Sequence, residues 1–213
     1  DRLPPLDFYN NHKFKLEEWQ KRVLTCIDNR QNVFLSAPTS AGKTIIVTNS
    51  ILATDYKVLI ILPTEALALQ VASSIDKFMP KMSNRKFGLW TDTLHYNLGL
   101  NGYINPNGVN IDILISTPTV VEQNLHLIHT KFDYLIFDEI HCLNYRDIGP
   151  SIERIIYYFP DSNFLALSAT VANVDELCNW WKLIRSNTNI HIEKYNSRFI
   201  NLERHIMIND YLT

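Results

Sequence analysis

Residues 37–44 read APTSAGKT, and this stretch decides the fold that the sequence predicts. The apolar run that ends at Leu35 predicts a strand, and Lys43 and Thr44 open a predicted helix. A strand, a loop and a helix in this order form a phosphate-binding loop, because backbone N–H groups and the positive end of the helix bind phosphate oxygens. The stretch begins with Ala37, where the usual pattern has Gly. Gly42 is present, and it lets the backbone approach a phosphate closely.

The residues of this loop have distinct predicted roles. Lys43 is expected to neutralise the β- and γ-phosphates of a nucleoside triphosphate, and the Thr44 hydroxyl is expected to bind Mg²⁺. The other predicted phosphate-binding residues of the loop are Pro38, Thr39, Ser40, Ala41 and Gly42.

A second charged motif follows another apolar run. Residues 138–141 read DEIH and come directly after the predicted strand Tyr134–Phe137. Two adjacent carboxylates at the end of a buried strand are costly unless a cation or water lies beside them. We therefore predict that Asp138 binds Mg²⁺ and that Glu139 is the base that orients an attacking water. With Lys43, they are the predicted catalytic residues of an enzyme that hydrolyses a nucleoside triphosphate.

Composition limits the remaining possibilities. The chain has 213 residues, of which 46% are apolar and 20% charged, with a net charge of -2. It can bury a substantial core, and it is not a uniformly basic nucleic-acid-binding protein, although a local basic patch remains possible. Three cysteines without zinc or disulfide spacing favour an intracellular location, cytoplasmic or nuclear. No apolar run approaches the roughly 18 residues of a membrane span, so a membrane partner is not expected.

Short apolar runs alternate with segments of helical periodicity. This alternation predicts an α/β fold with a mostly parallel β-sheet and helices on both faces, in which ligands bind beyond the carboxyl ends of the strands. The predicted strands are Asn32–Ser36, Val58–Leu62, Phe87–Trp90, Ile111–Ser116, Tyr134–Phe137 and Phe164–Leu167. The predicted helices are Leu16–Asn29, Lys43–Ala53, Glu65–Phe78, Thr119–Ile128, Gly149–Phe159 and Val174–Ile184, and residues 97–110 are predicted to form a loop.

The motifs and their order resemble those of superfamily-two helicases, specifically the Ski-like DExH group of RNA and DNA-repair helicases. Residues 37–44 resemble motif I of that group, Asp138–His141 resemble motif II, and Ser168–Thr170 resemble motif III. Pro63–Gln70 and Ser116–Pro118 are similar to motifs that contact nucleic acid in the family.

The resemblance implies a RecA-like (P-loop NTPase) domain that is the first of two such domains. ATP would lie between the domains, and single-stranded nucleic acid would cross both. Gln20 resembles the glutamine that reads adenine, and the coupling residues between ATP and nucleic acid would be His141, Ser168 and Thr170. The implied nucleic-acid contacts are Pro63, Thr64, Thr117 and Pro118.

The resemblance also divides the chain into three parts. Residues 1–30 would be an N-terminal extension with the helix on the adenine side. Residues 31–190 would form the ATP-binding domain, and residues 191–213 would lead toward a second RecA-like domain that supplies further arginines to the ATP site. We therefore expect weak activity from this part of the protein alone.

Three positions depart from the family pattern, and all lie in the nucleic-acid motifs. Glu65 stands where the family often has Lys, and a carboxylate beside a phosphate backbone is unfavourable. The pair Thr91–Asp92 lacks the Gly of the family's Thr-Gly-Asp turn, and Thr119 replaces a frequent Glu. The ATP motifs therefore match the family more closely than the nucleic-acid motifs.

The sequence predicts an ATP-dependent helicase that translocates on or unwinds nucleic acid, with RNA favoured over DNA. A DNA helicase or translocase uses the same ATP chemistry and stays an alternative, as does an ATP-gated clamp that binds nucleic acid without unwinding it. A small-molecule kinase would have no evident use for the DEIH and Ser-Ala-Thr motifs in this order. Protein partners cannot be read from the sequence.

Overall fold

An eight-stranded β-sheet organises the molecule. The computed structural model describes residues 16–38, 41–44, 46–47, 54–76, 85–96, 111–169, 174–185, 189–195, 207–208 and 211–212. The strands of the large sheet are β1 (Asn32–Ser36), β2 (Val58–Ile61), β3 (Phe87–Trp90), β4 (His95–Tyr96), β5 (Ile113–Ser116), β6 (Tyr134–Phe137), β7 (Asn163–Ser168) and β8 (Ile190–Lys194). The helices are α1 (Glu18–Asp28), α2 (Glu65–Asp76), α3 (Pro118–Gln123), α4 (Gly149–Tyr158) and α5 (Val174–Ile184). Two further strands, β9 (Met207–Ile208) and β10 (Tyr211–Leu212), form a separate antiparallel pair.

The strand order is β4-β3-β5-β2-β6-β7-β1-β8. Neighbouring strands are parallel throughout this sheet except for the short β4, which runs antiparallel to β3. The order confirms the predicted mostly parallel α/β sheet. It also places the carboxyl ends of seven parallel strands along one edge, where binding sites of such sheets form.

Helices cover both faces of the sheet. Side chains of a strand alternate between the faces, so Val33 and Leu35 of β1 enter one apolar core while Phe34 enters the other. Helices α1 and α2 pack in the first core, and α3, α4 and α5 pack in the second. Because both faces are covered, the strands are apolar over nearly their whole length, as the sequence indicated.

Helix α1 illustrates how the sequence sets a helix. Its apolar residues recur at helical spacing, and Trp19, Val23 and Ile27 are all buried against the sheet. Glu17 and Gln20 form a capping box at its start, in which each side chain binds the other residue's backbone N–H. These contacts leave Gln20 facing the phosphate-binding loop rather than solvent.

The predicted helix Thr119–Ile128 is wrong in its second half. Helix α3 ends at Gln123, and a short 3₁₀ turn, Leu125–Leu127, follows it. The cause is Asn124, whose side-chain amide donates to the carbonyl of Val120 at 2.8 Å and so takes the place of its own backbone N–H.

Two features of the sheet extend beyond the sequence predictions. Strand β4 was not predicted, and β8 pairs with β1 as far as Lys194, so the sheet continues past the predicted domain boundary at residue 190. The predicted loop 97–110 lies outside the described residues. Across the part of the chain that the structure describes, no helix has the length and apolar character needed to cross a membrane.

Candidate functional site

The strand order divides the carboxyl edge of the sheet into two halves. The ends of the neighbouring strands β6, β7 and β1 carry what we call the phosphate-loop half, which comprises residues 37–38, 41–44, 138–141 and 168–169. The ends of β3, β5 and β2 carry the threonine-rich half, which comprises residues 62–65, 91–94 and 116–118. The fold therefore separates the predicted ATP motifs from the predicted nucleic-acid motifs.

Lys43 lies at the centre of the phosphate-loop half. It follows Gly42, whose φ of 82° is readily adopted only by glycine, and its side chain is 6% exposed. A buried ammonium group needs a partner, and Lys43 Nζ lies 3.2 Å from Glu139 Oε1. This ion pair connects the end of β1 to the end of β6.

Glu139 is held from three directions. Besides Lys43, its carboxylate contacts His141 Nδ1 at 3.2 Å and accepts a hydrogen bond from the backbone N–H of Ala169 at 3.3 Å. Its backbone is left-handed, with a φ of 53°. A non-glycine residue in this conformation costs of the order of 1–3 kcal/mol, and such strain persists where surrounding contacts fix the residue. The three contacts supply that constraint and place the carboxylate where the ends of β1, β6 and β7 meet.

Asp138 is the second carboxylate of the motif. Its Oδ1 accepts a hydrogen bond from the Glu139 backbone N–H at 3.0 Å. Burial raises the pKa of Asp138, the nearby charge of Glu139 raises it further, and Lys43 lowers it. The ionised carboxylate is thus short of positive charge, which is the condition that a bound cation relieves.

The residues present fit a magnesium ion. Mg²⁺ prefers hard oxygen ligands and keeps several of its waters, so one or two protein groups suffice. Asp138 supplies a carboxylate at the carboxyl end of β6, and Thr44 supplies an exposed hydroxyl-bearing residue in the helical turn after the loop. Within the described ranges there is no group of three or more His, Cys, Asp or Glu that could hold a metal.

His141 connects the acidic motif to β7. Its Nδ1 lies 3.2 Å from Ser168 Oγ as well as 3.2 Å from Glu139 Oε2. The carbonyl of Ser168 in turn accepts the N–H of Ala37, the first residue of the phosphate-binding loop, at 3.1 Å. Three strand ends are therefore joined through one histidine and one serine. Thr39, Ser40 and Thr170, which the sequence also predicted for this half, lie outside the described residues.

Gln20 reaches the loop from α1. It is 5% exposed, its Nε2 donates to the Ala41 carbonyl at 3.4 Å, and its Oε1 accepts the Glu17 N–H at 2.9 Å. Both ends of the amide are therefore engaged within the protein. Reading a nucleotide base would require the amide to exchange one of these hydrogen bonds for the base.

The predicted nucleic-acid residues differ in how they are placed. Thr64 is exposed and its Oγ1 accepts the Leu67 N–H at 3.4 Å, while Pro63 is half-buried. Thr117 and Pro118 are buried at the start of α3, and the Thr117 hydroxyl has no hydrogen-bond partner among the described residues. At this edge, Thr64 is therefore the predicted contact residue that is exposed to solvent.

The sequence analysis treated Glu65 only as a departure from a pattern and did not find its partners. Glu65 Oε1 accepts the Thr91 hydroxyl at 3.1 Å and also accepts the Thr93 hydroxyl. No sequence signal links residue 65 to residues 91 and 93, because the contact depends on β2 and β3 lying on either side of β5.

A family model described as DEAD/DEAH box helicase matches residues 17–177 of the chain. The chain belongs to this family. Helicases of the DEAD/DEAH box family bind ATP, which agrees with the loop, lysine and paired carboxylates of the phosphate-loop half. The match begins one residue before α1 and ends within α5, so it includes both halves of the sheet edge.

Individual relatives place this DEAD/DEAH box helicase chain among larger proteins. It is 30% identical to the ATP-dependent DNA helicase Hel308 of Thermoplasma acidophilum, over 82% of this chain and 26% of that protein. It is also 30% identical to the antiviral helicase SKI2 of Saccharomyces cerevisiae, over 78% of this chain and 12% of that protein. The match thus spans about a quarter of the length of Hel308 and about an eighth of the length of SKI2.

A solved structure supports the fold. The structure of Saccharomyces cerevisiae Dbp5 bound to RNA and ADP BeF3 superposes with a TM-score of 0.68 at 20% identity. The likeness covers 89% of this chain and 50% of that chain. It confirms the RecA-like α/β fold predicted from the sequence.

Proposed function

We propose that this chain is the first RecA-like domain of a Ski-like DExH helicase, which hydrolyses ATP with Mg²⁺ to translocate on or unwind nucleic acid. The observation that carries the proposal is that Lys43, which follows β1, meets Asp138 and Glu139, which follow β6, beside the end of the intervening strand β7. A phosphate-binding lysine, a metal-binding carboxylate and a candidate base are the groups that phosphoryl transfer to water requires. In this proposal residues 31–190 form the core of the domain, residues 1–30 precede it, and residues 191–213 lead toward a second RecA-like domain.

The ion pair between Lys43 and Glu139 suggests how the site responds to ATP. Phosphate oxygens compete with the Glu139 carboxylate for the Lys43 ammonium, because charge-assisted contacts to phosphate are strong. When Lys43 binds phosphate, Glu139 Oε1 becomes available to accept a proton from a water and to orient it. His141 and the Ala169 N–H keep the carboxylate in place during this exchange. Asp138 and Thr44 would hold Mg²⁺, which would neutralise charge on the phosphates.

The same contacts offer a route from the ATP site to nucleic acid. Glu139 contacts His141, and His141 contacts Ser168 on the adjacent strand end. A change in the position of Glu139 alters the hydrogen bonds of both residues. We propose that His141, Ser168 and Thr170 couple the ATP state to nucleic acid bound near Pro63, Thr64, Thr117 and Pro118, and that Gln20 reads adenine.

The proposed substrate is single-stranded nucleic acid, with RNA favoured. The Ski-like group that motifs I, II and III resemble includes RNA helicases as well as DNA-repair helicases. The DNA alternative has its own support, since Hel308, a relative at 30% identity, is named as a DNA helicase. An ATP-gated clamp needs no water-orienting base, so Glu139 and its contacts favour hydrolysis.

The test is ATP hydrolysis by the full-length protein, alone and with single-stranded RNA or DNA of the same sequence. We expect RNA to stimulate the rate more than DNA does, and the Glu139→Gln variant to lose about 100-fold or more of the rate in every condition. Stimulation by DNA alone would assign the protein to the DNA alternative.

A lack of stimulation by either strand would overturn the helicase proposal. A duplex-unwinding assay then separates a motor from a clamp, because a clamp binds the strand in the presence of ATP but releases no displaced strand. The Glu139→Gln variant is the matched control for the unwinding assay.

A further inference from the structure

The Glu65 carboxylate binds two hydroxyl groups in the threonine-rich half. Glu65 is the first residue of α2, and its Oε1 accepts hydroxyl hydrogen bonds from Thr91 and Thr93. Two internal hydrogen bonds hold the turn that carries these threonines. The Thr91 N–H donates to the Leu94 carbonyl at 2.9 Å, and the Leu94 N–H donates to Thr91 Oγ1 at 3.1 Å. Glu65 therefore fixes the turn after β3 to the start of the helix after β2.

The charge of this half is unusual for a surface that would contact phosphates. Residues 62–65, 91–94 and 116–118 contain no Lys or Arg, and they contain two carboxylates, Glu65 and Asp92. A cation at such a position releases counterions when it binds a phosphate and makes affinity depend on salt. A carboxylate provides no such contact and repels the phosphate instead.

We propose that Glu65 is a specificity-determining residue, which replaces a cation–phosphate contact with a carboxylate–hydroxyl clamp on residues 91–94. This inference rests on the proposed function, because it assumes that nucleic acid crosses this edge. The clamp positions the turn for neutral hydrogen bonds, such as those from backbone N–H groups and from the exposed Thr64. Binding of the strand at this half then depends little on phosphate charge. The Thr91 and Thr93 hydroxyls donate to Glu65 and not to the strand.

The first test is the salt dependence of strand binding. The affinity of the full-length protein for a labelled single-stranded oligouridylate is measured by fluorescence anisotropy across a range of salt concentrations. Glu65→Lys should steepen the plot of log affinity against log salt by about 0.7, which is the value for one added phosphate contact on a single strand. At low salt it should bind more tightly than Glu65→Ala, because both variants lose the carboxylate and only lysine adds a phosphate contact.

The chain offers a matched control on the same helix. Asp76 is exposed and ends α2, about 16 Å from Glu65 at a rise of about 1.5 Å per residue, away from the carboxyl edge. Asp76→Lys makes the same change in charge and should leave the slope as in the unmodified protein. Equal slopes for Glu65→Lys and Asp76→Lys would overturn the inference, because Glu65 would not face the strand.

The second test separates the clamp from the charge. Glu65→Gln removes the charge and keeps an oxygen that accepts the threonine hydroxyls, so it should bind the strand about two- to threefold more tightly with little change in slope. Glu65→Ala removes both and should bind about tenfold more weakly than Glu65→Gln, because the turn of residues 91–94 loses its anchor. Equal affinities of the Gln and Ala variants would show that the clamp has no positioning role.

These outcomes are distinct from a failure of the proposed function. If the unmodified protein and all variants bind no strand at any salt concentration, the proposed function and this inference fail together. If the unmodified protein binds and only the variant pattern differs from expectation, this inference alone fails. ATP affinity, measured for every variant, reports whether the domain is folded, because none of these substitutions touches the phosphate-loop half.

Discussion

The two halves of the sheet edge use opposite kinds of chemistry on the same architecture. In the phosphate-loop half, Lys43 after β1 and the carboxylates Asp138 and Glu139 after β6 are brought together beside the end of β7, and their charges are partly buried. In the threonine-rich half, equivalent strand ends carry hydroxyl groups and a carboxylate that binds two of them. The difference indicates that charge is concentrated where phosphoryl transfer would occur, whereas the other half would hold a ligand through neutral groups and shape.

The largest expected effect is the loss of ATP hydrolysis when Lys43 of the phosphate-loop half is substituted. Lys43→Ala should lower the rate of ATP hydrolysis by the full-length protein about 100-fold or more, because one positioned donor to a transferring phosphoryl group contributes about that factor. Binding of single-stranded RNA without nucleotide should stay within about twofold. Steady-state hydrolysis and anisotropy titrations measure the two quantities.

Lys182→Ala is the control, since Lys182 is exposed on α5 and away from the sheet edge. It should change neither quantity. If Lys43→Ala weakened RNA binding as strongly as it slowed hydrolysis, the two halves would not be separate sites.

A smaller effect is expected at the connection between the strand ends. His141→Ala removes the contacts to Ser168 and Glu139, so the ratio of RNA-stimulated to unstimulated hydrolysis should fall about tenfold, a typical size for a coupling energy between sites. Ser168→Ala should reproduce much of this loss, because it removes the same contact from the other side. His126→Ala, which changes an exposed histidine of the 3₁₀ turn, should leave the ratio unchanged, and an equal loss in that variant would refute the assignment.

The smallest expected effect is on the melting temperature, and it tests whether the charge of Asp138 in the phosphate-loop half is uncompensated. Burial and Glu139 raise the pKa of Asp138, so the folded state loses stability as the pH rises from the unfolded-state pKa of about 3.9 through that raised pKa. Asp138→Asn should therefore raise the melting temperature at pH 7. The difference should shrink as the pH falls through the raised pKa and vanish below about 3.9, where the unfolded state is protonated as well.

Asp76→Asn provides the comparison for this measurement, because Asp76 is exposed. At pH 7 and below about pH 3.9 alike, Asp76→Asn should have nearly the same melting temperature as the unmodified protein. A lower melting temperature of Asp138→Asn at pH 7 would show that the ionised carboxylate is well compensated in the folded protein.

The sequence predicted the central strands closely for a physical reason. Strands such as Tyr134–Phe137 and Asn32–Ser36 are buried on both faces, so an uninterrupted apolar run and a polar boundary mark each of them. Strand β4 has two exposed residues and leaves no such signal. The break after Gln123 depends on a single side-chain hydrogen bond of Asn124, which apolar periodicity does not register.

The candidate site was predictable to a similar extent. Lys43, Asp138 and Glu139 could be assigned roles because buried charges at strand ends need a chemical explanation, and the structure places Lys43 in contact with Glu139. The clamp from Glu65 to Thr91 and Thr93 joins residues from different strand ends. Hydroxyl groups are common on protein surfaces, so only the strand order β3-β5-β2 reveals that these three residues meet.

We expect ATP bound at the phosphate-loop half to change the affinity of the threonine-rich half for nucleic acid. The most direct measurement uses the full-length Glu139→Gln variant, which should bind ATP without turning it over. Its dissociation constant for single-stranded RNA is determined with and without ATP and Mg²⁺. We expect the dissociation constant to change by about fivefold or more, since coupled sites shift each other's affinity reciprocally. Identical dissociation constants in the two conditions would contradict this expectation.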